Sequence, residues 1–301
     1  MTAPDAAPRP PSIAGVGASS VRLPPGAWTL LIDFLDQRFP DVGRAIWQAR
    51  LAEGKVSDAE SGRLKQDAAF VAGRLIRYYR ELPPEKLIPF EALILHRDEQ
   101  LLVADKPHFL ATIPSGRFVQ ETLLSRLRRD TGIEQLVPLH RLDRGTAGLV
   151  LFSVNPLTRG VYSALFAGRQ IVKTYEALAP TQPALEFPLR RRSRIVAGEP
   201  FFRQREIDGE PNAETLIEVI ERRGDLSLYR LQPVTGRKHQ LRVQMAGLGI
   251  AIVNDDWYPT LQVAADAEDN YALPLKLLAR RLAFTDPISG TSRQFDSVRD
   301  L

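Results

Sequence analysis

The chain contains no cysteine, which excludes a disulfide, a thiolate metal site and a cysteine nucleophile. It has only four histidines, none paired at metal-ligand spacing, so we expect no metal site. No run of about 18 apolar residues occurs, and we therefore expect no membrane-spanning segment. The first twenty residues lack the basic start and apolar core of a secretory signal, so the cytoplasm is the expected location.

What the chain does contain is ordinary for a soluble globular protein. Its 301 residues are 44% hydrophobic and 25% charged, which is enough for one large domain and one small one. The net charge of +4 and the pI near 9.4 permit a polyanionic partner without requiring one.

The most informative stretch is residues 140–152, His-Arg-Leu-Asp-Arg-Gly-Thr-Ala-Gly-Leu-Val-Leu-Phe. It places Asp143 in a polar turn between Arg141 and Arg144, ahead of an apolar run that predicts a buried strand. A carboxylate at the start of a strand is rigidly aimed, and neighbouring guanidiniums favour its charged form, as a nucleophile needs. From these residues alone, a solvated ion-pair cluster on a loop is the more frequent explanation.

Three further segments carry candidate functional residues. Residues 235–243, Thr-Gly-Arg-Lys-His-Gln-Leu-Arg-Val, predict a turn followed by a short helix. Residues 101–107, Leu-Leu-Val-Ala-Asp-Lys-Pro, predict a strand that ends at a turn, with a lysine beside the turn. Residues 171–179 predict a strand that carries Tyr175, which by itself would be taken for a core tyrosine.

These segments together resemble the RluA-type pseudouridine synthases. Residues 140–152 match the family signature, with Ala147 where the family usually has serine. Residues 235–243 are similar to its second signature, Gly-Arg-Thr-His-Gln-Ile-Arg-Val-His, although Lys238 and Gln244 replace threonine and histidine. Residues 101–107 resemble its first catalytic-domain motif, and the likeness extends over roughly residues 90–290.

The resemblance implies an isomerase that converts specific uridines of ribosomal or transfer RNA to pseudouridine without a cofactor. Asp143 matches the family's nucleophile, Arg242 its charged partner, and Tyr175 the tyrosine that stacks on the uracil. The partner would be a structured RNA, such as a stem-loop, and we expect the protein to act as a monomer without a membrane.

The resemblance and the local charge also indicate RNA-binding residues. Arg141 matches the residue that fills the gap left by a flipped base, whereas an ion pair with Asp143 is the alternative. The segment 189–205 has the most uneven charge in the chain, with six arginines and a single acidic residue, Glu199. This charge indicates phosphate contact, and an ordinary solvated hairpin is the alternative. The remaining candidates are Arg144, Lys106, His140, Arg237, His239, Gln240, Arg191 and Arg192.

The expected fold class is α+β, because the family has a mixed, mostly antiparallel sheet flanked by helices. We predict a disordered tail over residues 1–20, where large apolar side chains are scarce. Residues 21–88 should form a small N-terminal helical domain that resembles an RNA-binding domain, and residues 89–301 the catalytic domain.

Other functions are possible on the same residues. A catalytically inactive RNA-binding protein with this fold is the main alternative, although Asp143, Tyr175 and Arg242 are all present. A glycoside hydrolase would need a second carboxylic acid near Asp143, and neither signature supplies one. A serine hydrolase is disfavoured because the motif Gly-x-Ser-x-Gly is absent.

Overall fold

The computed structural model describes residues 11–58, 62–81, 84–116, 118–264 and 267–301. It divides into two compact units, Met1–Glu85 and Lys86–Leu301. The sequence placed this boundary between residues 88 and 89. No helix among the described residues is long and apolar enough to cross a membrane.

The N-terminal unit is a four-stranded antiparallel sheet with two short helices. Trp47, Leu35 and Ile76 are fully buried in its apolar core. Its elements in chain order are β1 (Ser19–Arg22), α1 (Leu31–Arg38), α2 (Arg44–Ala52), β2 (Val56–Asp58), β3 (Gly62–Arg63) and β4 (Leu75–Tyr78). The sheet order is β1-β4-β2-β3.

Two expectations for this unit need correction. Two helices and one strand, over residues 71–79, were expected in a mainly helical domain; that strand is β4, and three further strands join it in a sheet. The strand β1 begins inside the predicted disordered tail of residues 1–20, because Val21 packs against the apolar core and holds the strand on β4. Residues 1–10 of that tail lie outside the described residues.

The C-terminal unit contains the large sheet. Its strands are β5 (Leu93–Arg97), β6 (Leu101–Lys106), β7 (Val137–Pro138), β8 (Ala147–Ser153), β9 (Val172–Pro180), β10 (Leu189–Ala197), β11 (Gln204–Ile207), β12 (Ala213–Arg223), β13 (Leu226–Pro233), β14 (Leu277–Thr285) and β15 (Ser292–Asp296). Its helices are α3 (Leu123–Thr131), α4 (Arg159–Ala167) and α5 (Gln240–Gly247).

The sheet runs in the order β11-β10-β12-β13-β9-β14-β8-β6-β5, with β15 paired to β14 and β7 to β8. Among the described strands of this sheet, β8 and β14 form the one parallel pair, and every other pairing is antiparallel. The expected α+β class, with a mixed and mostly antiparallel sheet flanked by helices, is therefore confirmed.

Strands β6 and β8 are buried along their whole length. Alternate residues of β8 enter different apolar clusters, since Val150 and Phe152 pack with α3 residues, whereas Leu149 and Leu151 pack with α4 residues. A strand with two buried faces explains the continuous apolar run in the sequence. It also fixes the position of the turn that precedes it, where Asp143 lies.

A glycine permits the parallel pairing of β8 with β14. Gly148 has φ +109°, and a Cβ built on it would lie 2.3 Å from the backbone oxygen of Ala279. Only glycine adopts this conformation without strain and allows such a close approach. Because Gly148 follows Asp143 by five residues, this contact ties the turn that carries Asp143 to β14.

Candidate active site

A cleft of about 820 Å³ lies where the turn before β8, the strand β9 and the loop before α5 meet. Three candidates from separate parts of the sequence, Asp143, Tyr175 and Arg242, all line it. Asp143 is the single carboxylate among the lining residues of the described chain. The cations that line the cleft with it are Arg141, Arg169, Lys173, Arg237, Lys238 and Arg242.

Asp143 lies on a firmly held turn. The backbone N–H of Thr146 donates to the carbonyl of Asp143 at 3.1 Å. The hydroxyl of Thr112 donates to the carbonyl of Leu142 at 2.8 Å and accepts from the N–H of Leu142 at 3.1 Å. The Asp143 side chain is 25% exposed, so it is fixed by its backbone yet open to a ligand.

Arg242 is the nearest cation to this carboxylate, with its Nη1 atom 3.6 Å from Oδ2 of Asp143. Its planar fork, however, grips a different residue. Nε and Nη2 donate to the two carboxylate oxygens of Asp255 at 2.8 and 2.7 Å, and Asp255 also accepts from the N–H groups of Trp257 and Tyr258. We expected Arg242 to orient Asp143 directly; instead, Asp255 orients Arg242, which then faces Asp143.

The charge of Arg242 is secure despite its burial. Desolvation lowers the pKa of Arg242, but the hydrogen bonds and charge of Asp255, together with the charge of Asp143, raise that pKa above its ordinary value. A permanent cation beside the carboxylate is what the sequence predicted for this position.

His239 is a neutral neighbour of Asp143. Burial lowers the pKa of His239 to about 4, although the charge of Asp143 works in the opposite direction. Its Nε2 atom lies 3.8 Å from Oδ2 of Asp143, and its Nδ1 atom lies 2.8 Å from the hydroxyl of Tyr258. Because that hydroxyl accepts from the N–H of Gln204, it can donate to Nδ1, which leaves the imidazole hydrogen on the side of Asp143.

Tyr175 is half-buried on β9, where Leu231 and Ala279 are its cross-strand neighbours. Burial, and secondarily the charge of Asp143, raise the pKa of its phenol well above the ordinary value. The phenol therefore keeps its proton at neutral pH. The ring can stack on a base while its hydroxyl acts as a hydrogen-bond donor.

Two of the expected RNA-binding residues, Arg141 and Arg237, are exposed in the cleft. His140 also lines it, but its Nε2 atom accepts from the N–H of Leu151 at 3.0 Å and its ring stacks on Phe166. Burial, and secondarily the charge of Lys173, lower the pKa of His140 to about 3, so it is neutral.

Lys106 does not face the cleft, contrary to the expectation from the sequence. It is fully buried at the end of β6. Its ammonium donates to the carbonyls of Pro107, Leu110 and Arg144 at 3.0, 2.8 and 3.2 Å. The contact with Arg144 shows that Lys106 supports the turn that carries Asp143 from within the protein.

Two other candidates, Arg144 and Gln240, are already engaged by protein groups. Arg144 grips Asp269 with both terminal nitrogens and does not line the cleft, so it fixes a loop. Gln240 lines the cleft, but its side chain is 4% exposed and bonds to the hydroxyls of Thr235 and Thr215, so it supports the site.

The arginines of β10 divide between the two faces of that strand. Arg191 is half-buried and holds Glu206, with Nη2 2.6 Å from the carboxylate, so its charge is already neutralised. Arg192 is exposed, and its Nε lies 3.6 Å from the carboxylate of Glu214, so its ion pair is the looser of the two. Neither of these arginines lines the cleft.

Sequence reasoning missed Asp255, Arg169 and Lys173. Asp255 lies in a loop after α5 that has no periodic signal. Lys173 was recoverable, because residues two apart on a strand share a face and Lys173 precedes Tyr175 by two. No group of three or more potential metal-binding side chains occurs in the part of the chain that the structure describes.

Comparisons with known proteins fit this geometry. The family described as RNA pseudouridylate synthase matches residues 100–247, which include Asp143, Tyr175 and Arg242. An uncharacterised RNA pseudouridine synthase of Synechocystis sp. is 30% identical over 238 residues, covering 76% of this chain and 79% of that protein. The chain belongs to the RluA-type pseudouridine synthase family.

The dual-specificity RNA pseudouridine synthase RluA of Escherichia coli is 30% identical to this RluA-type synthase over 221 residues, covering 69% of this chain and 93% of the relative. A solved structure of human RNA pseudouridylate synthase domain containing 1 shares the fold, with a TM-score of 0.56 and 23% identity over 69% of this chain and 84% of that one. As a member of this family, the synthase is an isomerase.

Proposed function

We propose that the protein converts a uridine in a stem-loop of ribosomal or transfer RNA to pseudouridine, with Asp143 as the nucleophile. The observation that carries this proposal is the composition of the cleft, in which one carboxylate lies among six cationic side chains. Such a charge pattern is complementary to a polyanion. It leaves Asp143 as the one acidic group of the cleft that could attack.

The reaction breaks the bond between uracil N1 and ribose C1′, turns the base, and joins C5 to the same carbon. The proton lost from C5 is balanced by the proton gained at N1, so no oxidant or cofactor is required. Asp143 would form a covalent intermediate that holds one fragment while the base turns. Arg242 remains charged 3.6 Å from Asp143 and stabilises the carboxylate when it departs again.

The target base must leave its stack to reach Asp143, at a cost of a few kcal/mol. Arg141 is exposed at the cleft and lies two residues before Asp143 in the chain. Its guanidinium plane can therefore take the place of the base in the stack. Tyr175 then stacks on the flipped uracil.

We place this reaction in the cytoplasm and assign it to the monomer.

The test is to delete the gene in its host and map pseudouridine across total RNA by chemical labelling. Wild-type and Asp143→Asn genes are then returned separately. We expect at least one site to disappear and to return with the wild-type gene alone. Full restoration by Asp143→Asn would refute the role of Asp143, whereas no lost site in ribosomal or transfer RNA would refute the proposed substrate.

A further inference from the structure

Two cations of the cleft, Arg169 and Lys173, lie outside the signature segments. Lys173 is on β9, two residues before Tyr175, so both side chains occupy the same face of the strand. The Cα atoms of Lys173 and Tyr175 are about 7 Å apart, which is the length of two residues along a strand. Arg169 is exposed in the turn between α4 and β9, with φ +56°.

Neither cation makes an ion pair with a described residue. The ammonium of Lys173 has a hydrogen bond to the carbonyl of Thr235, at 3.5 Å, although the side chain is half-buried. Arg144 and Arg242, by contrast, are each held by a carboxylate. Lys173 is therefore a half-buried charge without a counter-ion among the described residues.

Without a bound anion, the half-buried charge of Lys173 beside Arg169 is energetically unfavourable. Burial, and secondarily the charge of Arg169, lower the pKa of Lys173. A buried charge without a counter-ion is costly, and a neighbouring like charge adds to that cost. An anion placed between Lys173 and Arg169 would relieve both effects.

The surroundings leave room for that anion. A Cβ built on Gly236 would lie 3.8 Å from Nζ of Lys173, so the glycine keeps a side chain away from the ammonium. Arg237 and Lys238 follow in the same loop and also line the cleft. The site therefore combines two cations that have no ion pair among the described residues with a cleft whose single lining carboxylate is Asp143.

We infer that Lys173 and Arg169 bind a backbone phosphate next to the uridine that stacks on Tyr175. This inference rests on the proposed function, because that function makes RNA the occupant of the cleft. The short distance along β9 matches a phosphate that belongs to, or directly flanks, the flipped nucleotide. Its binding would hold the extruded nucleotide beside Asp143.

The experiment measures the binding of a fluorescein-labelled oligouridylate by anisotropy at several NaCl concentrations. The variants are Lys173→Gln, Lys173→Arg and Arg169→Gln. Arg222→Gln is the matched control, since Arg222 is an exposed cation outside the cleft and its loss changes the net charge equally. Circular dichroism melts establish that each variant is folded. If Lys173→Gln does not fold, Arg169→Gln still tests the inference.

We expect Lys173→Gln and Arg169→Gln each to weaken binding by about tenfold, as the loss of one charged hydrogen bond implies. Each should also make the slope of log K against log[NaCl] shallower by about 0.7, the value for one phosphate contact on a single strand. Lys173→Arg and Arg222→Gln should keep the wild-type slope. Unchanged slopes in both cleft variants, or equal changes in Arg222→Gln, would overturn the inference.

Turnover distinguishes this inference from the function on which it rests. Each purified protein is incubated with total RNA from the deletion strain, and new pseudouridine is mapped. If the wild-type protein forms none, the proposed function fails. If the wild-type protein is active and the cleft variants bind and modify RNA as it does, the phosphate site alone fails.

Discussion

Asp255→Asn tests whether the buried pair of Asp255 and Arg242 positions the active site. Asp255 is 6% exposed and accepts two hydrogen bonds from Arg242, at 2.8 and 2.7 Å. Removing one partner of a buried pair costs roughly 3–5 kcal/mol, because the remaining charge loses its counter-ion. For a protein of this size, each kcal/mol lowers Tm by about 2–4 °C, so we expect a fall of about 6–20 °C.

The same substitution should impair catalysis. Without the charge of Asp255, Arg242 would pair more closely with Asp143, which is now 3.6 Å from its Nη1 atom. A tighter ion pair makes the carboxylate a poorer nucleophile, and we expect the rate at saturating RNA to fall while RNA binding is kept. The measurements are a thermal melt, single-turnover kinetics and RNA binding by anisotropy.

Glu218→Gln is the matched control for stability, because Glu218 pairs with Arg230 on an exposed part of the sheet at 3.1 Å. Exposed pairs of this kind contribute about 0–1 kcal/mol. Equal stability losses in the two variants would contradict the reasoning, as would an Asp255→Asn protein with wild-type Tm and rate.

Three other predictions concern separate features of the fold and the site. Gly148→Ala should destabilise the protein by at least about 2 kcal/mol in denaturant melts, because its Cβ would collide with the Ala279 backbone, whereas Gly160→Ala has open space and should be neutral or stabilising. Burial holds the pKa of His239 at about 4, against an ordinary 6.5, so the unfolded chain binds the proton first and stability is lost as pH falls from 7 towards 4. His239→Gln should flatten that pH dependence by about 2 kcal/mol between pH 7 and 5, and an unchanged dependence would refute the assignment. Arg141→Ala should slow turnover with a stability change within about 0.5 kcal/mol, because the side chain is exposed; an unfolded variant would favour an ion-pair role instead.

The sequence was most informative around Asp143, where a reactive side chain lies in a segment whose turn and strand can be predicted from local residues. Asp143 lies on a turn because Gly145 and Thr146 follow it, and the apolar run after it predicts the buried strand β8. That Asp143, Tyr175 and Arg242 meet in one cleft came from the resemblance, since no local pattern specifies which distant segments pack together. Asp255, the partner of Arg242, could not be predicted because its role depends on a contact across 13 residues of loop and helix.

The errors at Lys106 and Arg191 concern strand residues, whose exposure depends on what covers each face of the sheet. Lys106 was expected to face the cleft because residues 101–107 resemble a family motif, but both faces of β6 are covered and the side chain is buried. Arg191 and Arg192 were grouped as RNA-binding residues although adjacent residues of a strand point to opposite faces. The strand β15 was missed because its alternating polar residues, partly exposed at the sheet edge, give no apolar run.

The direct test of the central claim is the turnover of purified Asp143→Asn on total RNA from the deletion strain, alongside the wild-type protein. Asparagine keeps the size of the side chain and removes its negative charge, so the turn should persist. We predict that the variant binds RNA as the wild type does and forms no pseudouridine. Formation of pseudouridine at the wild-type rate would contradict the assignment of Asp143 as the nucleophile.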